Sequence, residues 1–569
     1  MVRTRKVAAV IPGPSVQLLE ALTARRHRVR HDVCLFFVSL FVSINIVIMP
    51  FEAYLSEPVP WSAPPIDKPD ATTFAAFNTT TLARNQALYN RGTLPRGDTY
   101  YADASEHSYV LRHVLEVSMP RTCASLVLGL PGAVFYGSAM HALLCDVATL
   151  RNQTALRWHN RGTCLVVTFL WLPIAHECLW LTAGNDLVAT NSSVEVTLYF
   201  ALTQYPYPAL LWTKFVCRTI STYIVVYVLW DRYYKHYFAL ARLMGEHGHR
   251  AGLDNGYVWH YHLVVGDPTS ILVTSPLVVG VFFLDIWLSP HVIATAVLRL
   301  LQTQDVSTML RAALYLFRMV WIAYGAMCAT SVCLKRSRRH CLFAEVDPTV
   351  LVLTMTFYGP LLWLLAGNVW VCLRLCQWLL TCLLPEDAKA TRVEIILVGT
   401  VYIALVALLP LTYGFLVGYI RKPRVPSIAY HSYRYNSLKT RAFITPVHPL
   451  RLGEHLGVSF GGSIYSVFEM RMQYKKTPTM NARGSDCFLL CYRNSDLVAK
   501  MRLSLLGSLD CSGGGRSPPI IDADEPCEFH VNALNYSGRQ RKLSLLAGRG
   551  SIDTRITISR STHPTEWCM

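Results

Sequence analysis

The chain has 569 residues, of which 52% are hydrophobic and 16% are charged, and its formal net charge is +17. A chain this apolar is typical of a protein that crosses a membrane several times, and the composition excludes a purely soluble multidomain protein. The positive charge is concentrated near the C-terminus, because residues 420–569 hold 21 Lys and Arg against 11 Asp and Glu. This segment is expected to contact anionic inner-leaflet lipid. Its scattered basic residues form no compact patch, which argues against nucleic acid as a partner.

The N-terminal region predicts an uncleaved signal anchor. Residues 1–32 are basic, and residues 33–50 form a continuous apolar run that is followed by a poor signal-peptidase site. We therefore expect a cytoplasmic N-terminus, a first span at 33–50 and a polar extracytoplasmic loop at 51–121. Asn78 begins an Asn-Thr-Thr sequon in this loop, and Asn191 begins another sequon in a later predicted outside loop. Both are predicted glycosylation sites.

Residues 122–420 are predicted to form a multi-span membrane domain. Its apolar runs are Thr122–Val147, Thr163–Leu181, Tyr207–Trp230, Thr269–Leu288, Ala312–Leu334, Thr349–Leu384 and Val393–Ile420. The last run stops at a basic cluster, Arg421-Lys422-Pro423-Arg424, which is typical of a cytoplasmic helix end. The predicted inside segments up to Arg424 hold 21 Lys and Arg, and the three short outside loops hold 4. The sequence thus predicts an all-α polytopic membrane protein with about eight transmembrane helices and with both termini in the cytoplasm.

Residues 421–569 are predicted to form a soluble, β-containing cytoplasmic tail. Short alternating or apolar segments are separated there by turn-forming clusters rich in Gly, Asn and Ser. The strand candidates are Ile464–Tyr474, Cys487–Tyr492, Val498–Leu506, Phe529–Leu534 and Arg555–Ser559.

The 17 cysteines do not indicate an extracellular disulfide framework, because the loop at 51–121 contains none. Several cysteines lie at predicted span ends, among them Cys34, Cys145, Cys333 and Cys341. They are interpreted mainly as small buried residues, with reversible acylation as the alternative.

Ionisable side chains inside predicted spans are the strongest indication of function, because each is costly in hydrocarbon unless it is paired or hydrated. The candidate intramembrane polar site consists of His176, Glu177, Lys214, Arg218, Asp285, Arg318, Asn368 and Arg374. Lys214 and Arg218 are four residues apart and therefore share a helix face. Glu177 is the carboxylate expected to pair with a cation among Lys214, Arg218 and Arg318. The alternative is that some of these groups snorkel to an interface while the others form structural pairs.

Two short motifs resemble those of rhodopsin-like receptors. Asp231-Arg232-Tyr233 ends a predicted span, and Pro410-Leu411-Thr412-Tyr413 lies near the inner end of the last one. They occupy the places of the receptor motifs Asp-Arg-Tyr and Asn-Pro-x-x-Tyr, although Leu409 stands where the Asn is expected. If the first span is only an anchor, the resemblance implies a seven-span set with an inside tail.

The sequence contains no phosphate loop, nucleophile elbow or metalloprotease motif, and its histidine pairs lack the richer ligand boxes of membrane metalloenzymes. No metal or cofactor is therefore predicted. The expected function is that of a transporter or channel for an ion or small solute. A receptor-like signalling protein or membrane scaffold is the alternative, and a membrane-embedded enzyme is the third choice.

Overall fold

A computed structural model describes residues 27–62, 73–94, 99–118, 122–130, 132–149, 160–183, 193–250, 259–300, 306–383 and 391–420. In the tail it describes residues 458–461, 468, 475–481, 483–493, 496–508 and 510, and the short pieces 529–530, 532–533, 544–545, 559–560 and 567–568. The predicted strand at Ile464–Tyr474 therefore lies almost entirely outside the described residues, and Asn191 lies outside them as well.

Helices form most of the described part of the chain. They are α1 Val33–Glu52, α2 Phe74–Leu88, α3 Cys123–Val127, α4 Ser138–Thr149, α5 Pro208–Leu229, α6 Lys235–Arg250, α7 Thr269–Val273, α8 Pro276–Trp287, α9 Pro290–Leu300, α10 Val306–Phe317, α11 Val320–Ser337, α12 Pro348–Asn368, α13 Trp370–Leu383 and α14 Ile395–Ile420. Several starts follow from capping residues. Asp32 accepts a hydrogen bond from the backbone of Leu35 at 2.9 Å at the start of α1, and Asp347 caps α12 in the same way.

Five helical stretches in the described residues are long and apolar enough to cross a membrane. They are Val33–Leu55, Pro208–Arg242, Val306–Ser337, Pro348–Leu365 and Gly399–Ile420. A sixth is possible if α8 and α9, which are bent relative to each other at a short break, together make one span. The prediction of about eight transmembrane helices in an all-α protein is therefore wrong.

Three of the predicted spans are not single membrane-length helices, and one of them, Thr269–Leu288, is divided into α7 and α8. The run at Thr122–Val147 is divided into α3, a 3₁₀ turn at Ala133–Phe135 and α4. The run at Thr163–Leu181 is a β-hairpin of β4, Gly162–Phe169, and β5, Leu172–Ala183. A strand that is buried on both faces is as uniformly apolar as a membrane helix, so its hydropathy alone does not distinguish the two.

The hairpin belongs to a six-stranded sheet. The other strands are β2 Thr99–Asp103, β3 Ser108–Ser118, β6 Ser193–Gln204 and β8 Arg392–Glu394, and the order is β2-β3-β6-β5-β4-β8. All neighbours are antiparallel except β4 and β8. Phe77 of α2 packs with Cys178 and Trp180, whereas Leu179 belongs to the larger core that includes Tyr136.

Two disulfides stabilise this region. Cys123 is bonded to Cys145 between α3 and α4, and Cys164 is bonded to Cys178 across β4 and β5. The prediction that the cysteines form no disulfide framework is wrong. It rested on the absence of cysteine from the loop at 51–121, whereas the bonded cysteines lie in residues 122–181, which were predicted to be membrane spans.

A second sheet of eight strands is built from distant parts of the chain. Its strands are β1 His27–His31, β7 Trp259–Val264, β9 Val458–Gly461, β10 Cys487–Arg493, β11 Asp496–Leu505, β13 Asn532–Ala533, β15 Ser559–Arg560 and β16 Trp567–Cys568. Within the described part of the tail, the remaining strands, β12 Phe529–His530 and β14 Ser544–Leu545, pair with each other. β10 and β11 coincide closely with the predicted strands at Cys487–Tyr492 and Val498–Leu506.

The two sheets lie at opposite ends of the long helices, as the chain connections require. β6 leads directly into α5 and β8 leads directly into α14, so the six-stranded sheet is at the starts of both helices. α5 continues through a π-helical turn at Trp230–Tyr234 into α6 and then into β7 of the eight-stranded sheet. The part of the chain before α1 also joins that sheet through β1, which pairs in parallel with β7.

Candidate functional site

Four charged residues predicted for the polar site meet in one buried cluster. Lys214 and Arg218 come from α5, Asp285 from α8, and Arg318 from the junction of α10 and α11. The fifth member, Glu57, lies just beyond α1. We refer to these five residues as the charge cluster. At 1.5 Å per helical residue, Lys214 and Arg218 lie roughly 9 and 15 Å along α5 from its start at Pro208.

Glu57 is the carboxylate at the centre of the cluster. It accepts hydrogen bonds from Arg218 Nη2 at 2.7 Å and from the Tyr315 hydroxyl at 2.7 Å, and Lys214 Nζ lies 3.3 Å from its Oε2 atom. Arg318 Nη1 is 4.0 Å from Oε1. Burial alone would raise the pKa of Glu57, but the positive charges of Lys214 and Arg218 outweigh burial and hold its pKa well below the usual range. Glu57 is therefore ionised in the folded protein.

Asp285 makes the second set of ion pairs. Its Oδ1 atom accepts a hydrogen bond from Arg218 Nε at 2.8 Å, and it also forms an ion pair with Arg318. Arg218 thus bridges both carboxylates, and its guanidinium carbon lies 4.6 Å from the centre of the Tyr54 ring. The cluster links the chain beyond α1 to α5, α8 and the α10–α11 junction.

The cluster is closed and contains more cations than carboxylates. Its side chains are only 0–4% exposed. Three cationic groups face two fully buried carboxylates, and the partly exposed Glu52 interacts electrostatically with Arg318 at the edge. Within the described residues, Arg218 Nη1 is buried without a hydrogen-bond partner. Glu52 offsets part of the excess charge at Arg318. Because a buried ion is strongly penalised unless it is fully paired, the unpartnered Arg218 Nη1 atom favours an anion nearby.

His176 and Glu177 are not part of this cluster, because both lie on β5 of the six-stranded sheet. His176 hydrogen-bonds through Nδ1 with the Tyr205 hydroxyl at 2.7 Å, and burial together with the charge of Arg84 lowers its pKa to about 3. Burial raises the pKa of Glu177 to about 8. Glu177 is therefore a neutral, buried acid at pH 7. The ion pairs that the sequence predicted for Glu177 are made by Glu57 instead.

Asn368 and Arg374 are also separate from the cluster. Both are exposed, on α12 and α13 respectively. The Asn368 amide donates to the Leu364 carbonyl at 2.8 Å, and the Arg374 guanidinium carbon lies 4.4 Å from the centre of the Trp370 ring. These contacts are local, so the structure gives neither residue a place in the charge cluster.

The sequence interpretation missed Glu57 and Tyr315. Glu57 follows a predicted span by only a few residues, in a segment with Glu52 that was treated as part of a polar loop. Glu57 could have been identified from the sequence as an acidic residue at the same end of the helices as Lys214 and Arg218.

The predicted glycosylation site Asn78 lies on α2 and accepts a hydrogen bond through Oδ1 from the Cys164 backbone at 2.6 Å. Its glycosylation stays a prediction.

Within the described residues, no group of three or more His, Cys, Asp or Glu side chains is arranged to hold a metal ion. Comparisons of the chain with models of protein families, with curated proteins and with solved structures gave no match.

Proposed function

We propose that this chain is an integral membrane protein that transports or conducts a small anion, and that the charge cluster is its gate in the closed state. The observation that carries the proposal is the excess of buried cationic groups over buried carboxylates at Glu57, Lys214, Arg218, Asp285 and Arg318. Ionisable groups within membrane-length helices typically mark ion or solute pathways.

The geometry suggests how an anion could open such a gate. Arg218 is held by Glu57 on one side and by Asp285 on the other. An incoming anion would supply charge-assisted hydrogen bonds to Arg218 and so replace one carboxylate. Breaking a buried ion pair without replacement costs about 3–5 kcal/mol, so a neutral solute would not release the helices.

The proposed topology has the six-stranded sheet outside and the eight-stranded sheet in the cytoplasm, with both termini inside. Three features support it. The disulfides lie beside the six-stranded sheet, as expected for the oxidising side of a membrane. The basic cluster at residues 335–339 ends α11 at the end of the helices opposite that sheet, as expected for the cytoplasmic side. The strands before and after the long helices belong alternately to one sheet and the other.

Anion flux in proteoliposomes tests the proposal. Purified protein should carry chloride, sulfate or a small carboxylate faster than protein-free liposomes, with potassium flux as the counter-ion control. Arg318→Gln should reduce anion flux at least about tenfold, because it removes one of the cations that would attract the anion. Arg311→Gln, on the same helical stretch but exposed, is the matched control and should leave the flux unchanged.

Protein yield and size-exclusion behaviour of both variants separate loss of function from loss of folding, and Arg318→Lys should restore part of the flux. If the wild-type protein carries none of these anions above the protein-free background, transport is refuted. Equal flux for Arg318→Gln and wild type, in well-folded protein, would instead remove the cluster from the pathway.

A receptor that couples the two sheets is a second candidate. A specific contact favours it, because the hydroxyl of Tyr233 in the π-helical turn lies 3.6 Å from the Sγ atom of Cys487 in β10 and so joins the helices to the eight-stranded sheet. The seven-span form implied by the rhodopsin-like resemblance is not formed, because three of the required spans are not single membrane-length helices. Absence of flux, together with altered hydrogen exchange in β10 after reduction of the disulfides beside the six-stranded sheet, would support coupling.

A further inference from the structure

A polar cleft of about 370 Å³ lies at the end of the helices opposite the six-stranded sheet. One wall is the π-helical turn and the start of α6, with Arg232, Lys235 and His236. The other wall includes Lys476, Ser485 and Ser508, from the part of the chain that carries the eight-stranded sheet. A cleft of this size is within the range of small-molecule sites.

The charge of the cleft favours an anion. Arg232, Lys235 and Lys476 contribute three positive charges, and Asp231 contributes one negative charge through its pair with Lys235 at 3.3 Å. The hydroxyl oxygens of Thr274 and Ser485 also line the cleft, although the Thr274 hydroxyl already donates to the Ser270 carbonyl at 2.8 Å. Several cationic groups that converge on one cleft bind phosphate groups through charge-assisted hydrogen bonds.

The position of the cleft indicates where the anion comes from. Thr274 lies just before α8, and Arg232 follows the end of α5, so the cleft is at the ends of two helices that are proposed to cross the membrane. Trp230 and Phe238, on the same turn and helix, are 54% and 43% exposed, and their rings lie 6.1 Å apart. Exposed aromatic residues at helix ends are typical of the headgroup region of a bilayer.

We propose that this cleft binds a phosphomonoester group, with Arg232, Lys235 and Lys476 as its charged contacts. Both a lipid headgroup and a soluble phosphate ester carry this group. Bound there, it would join the π-helical turn to the tail. This inference does not depend on the transport proposal, because the cleft and the charge cluster share no residue.

Lipid binding by the full-length protein, reconstituted in phosphatidylcholine nanodiscs, tests the proposal. Short-chain phosphatidic acid, a phosphomonoester, should bind more tightly than short-chain phosphatidylserine, a phosphodiester. The double variant Arg232→Gln, Lys476→Gln should weaken the binding of phosphatidic acid about a hundredfold, since each lost charge-assisted contact is worth about tenfold. Arg336→Gln, an exposed arginine at the end of α11, is the matched control.

Competition by soluble glycerol phosphate identifies the source of the group. Displacement at micromolar concentration indicates a soluble ester, and no displacement indicates a lipid; either result supports the site. The altered side chains of the double variant are exposed, and size-exclusion chromatography verifies its folding. Equal binding of phosphatidic acid and phosphatidylserine, or wild-type affinity in the folded double variant, would overturn the proposal.

Discussion

Replacement of Glu177 by Gln is expected to stabilise the six-stranded sheet at neutral pH. Glu177 is 3% exposed on β5, and its Oε2 atom is buried without a hydrogen-bond partner in the described structure. Burial is the sole cause of its raised pKa, which is about 8 in the folded protein compared with an ordinary value of 4.5. The folded chain therefore keeps a proton that the unfolded chain releases between these two pH values.

The size and sign of the effect follow from this difference. Below pH 4.5 the carboxyl is neutral in both states, so it causes no pH dependence there. As the pH rises from 4.5 to 8, stability is lost at about 1.4 kcal/mol per pH unit, and above pH 8 the loss is complete. At pH 7 the loss is about 3 kcal/mol and in total it is about 5 kcal/mol. Gln has nearly the same shape but does not ionise, so Glu177→Gln should recover that amount.

Hydrogen exchange of peptides from β5 measures this effect in the intact protein. Wild type and variant are compared at the same pH, so that the intrinsic pH dependence of exchange cancels. Protection should be similar near pH 5 and should favour Glu177→Gln increasingly up to pH 8, whereas Glu106→Gln, at a partly exposed position, should show no such trend. A constant difference at all pH values, or lower protection in Glu177→Gln at pH 8, would refute the argument that Glu177 is a neutral buried acid.

Three further substitutions test the packing of the structure. Glu57→Gln leaves buried cations without their carboxylate and should lower the free energy of unfolding, measured by thermal unfolding, by about 3–5 kcal/mol. Glu106→Gln breaks only a surface ion pair and should lower it by less than about 1 kcal/mol. Cys164→Ser breaks the disulfide between cysteines 14 residues apart and should lower the free energy of unfolding by about 3 kcal/mol. Faster proteolysis near β4 would reveal this loss, and proteolysis at the wild-type rate would contradict a structural role for the disulfide. Gly418→Ala brings a Cβ into close contact with the Leu342 carbonyl oxygen and should lower the melting temperature, whereas Gly399→Ala, with nothing within 4 Å, should not; equal melting temperatures would refute this close packing of α14.

The sequence predicts the long helices well because their cores are apolar over the length of a bilayer and their ends carry clear signals. The apolar run that begins at Val33 and the run that ends at Ile420 are both membrane-length helices in the structure. Asp32 and Asp347 each accept a backbone hydrogen bond at the start of their helix, as short polar residues typically do at the N-cap position. These features are local, so neighbouring residues suffice to specify them.

The hairpin of β4 and β5 could not be recognised in this way. Val166, Val167 and Thr168 favour a strand, and Pro173 interrupts the run, but uniform apolarity over Thr163–Leu181 fits a membrane helix equally well. Both faces of these strands are buried because α2 covers one face and the core around Tyr136 covers the other. That burial is a property of the assembled sheet and leaves no alternation in the sequence.

For the site, the sequence indicates which residues are costly to bury, and the tertiary structure decides which of them meet. Lys214 and Arg218 share a face because of helical periodicity, which is a local property. Their partners Glu57 and Asp285 are 161 and 67 residues from Arg218 along the chain, and only the packing of α5 against α8 and the end of α1 brings them together. Glu177 has the same chemistry as Glu57, yet the sheet buries it away from every cluster cation. An ionisable residue is therefore identifiable from sequence by its desolvation cost, whereas its charge state and its partners depend on long-range contacts that hydropathy does not encode.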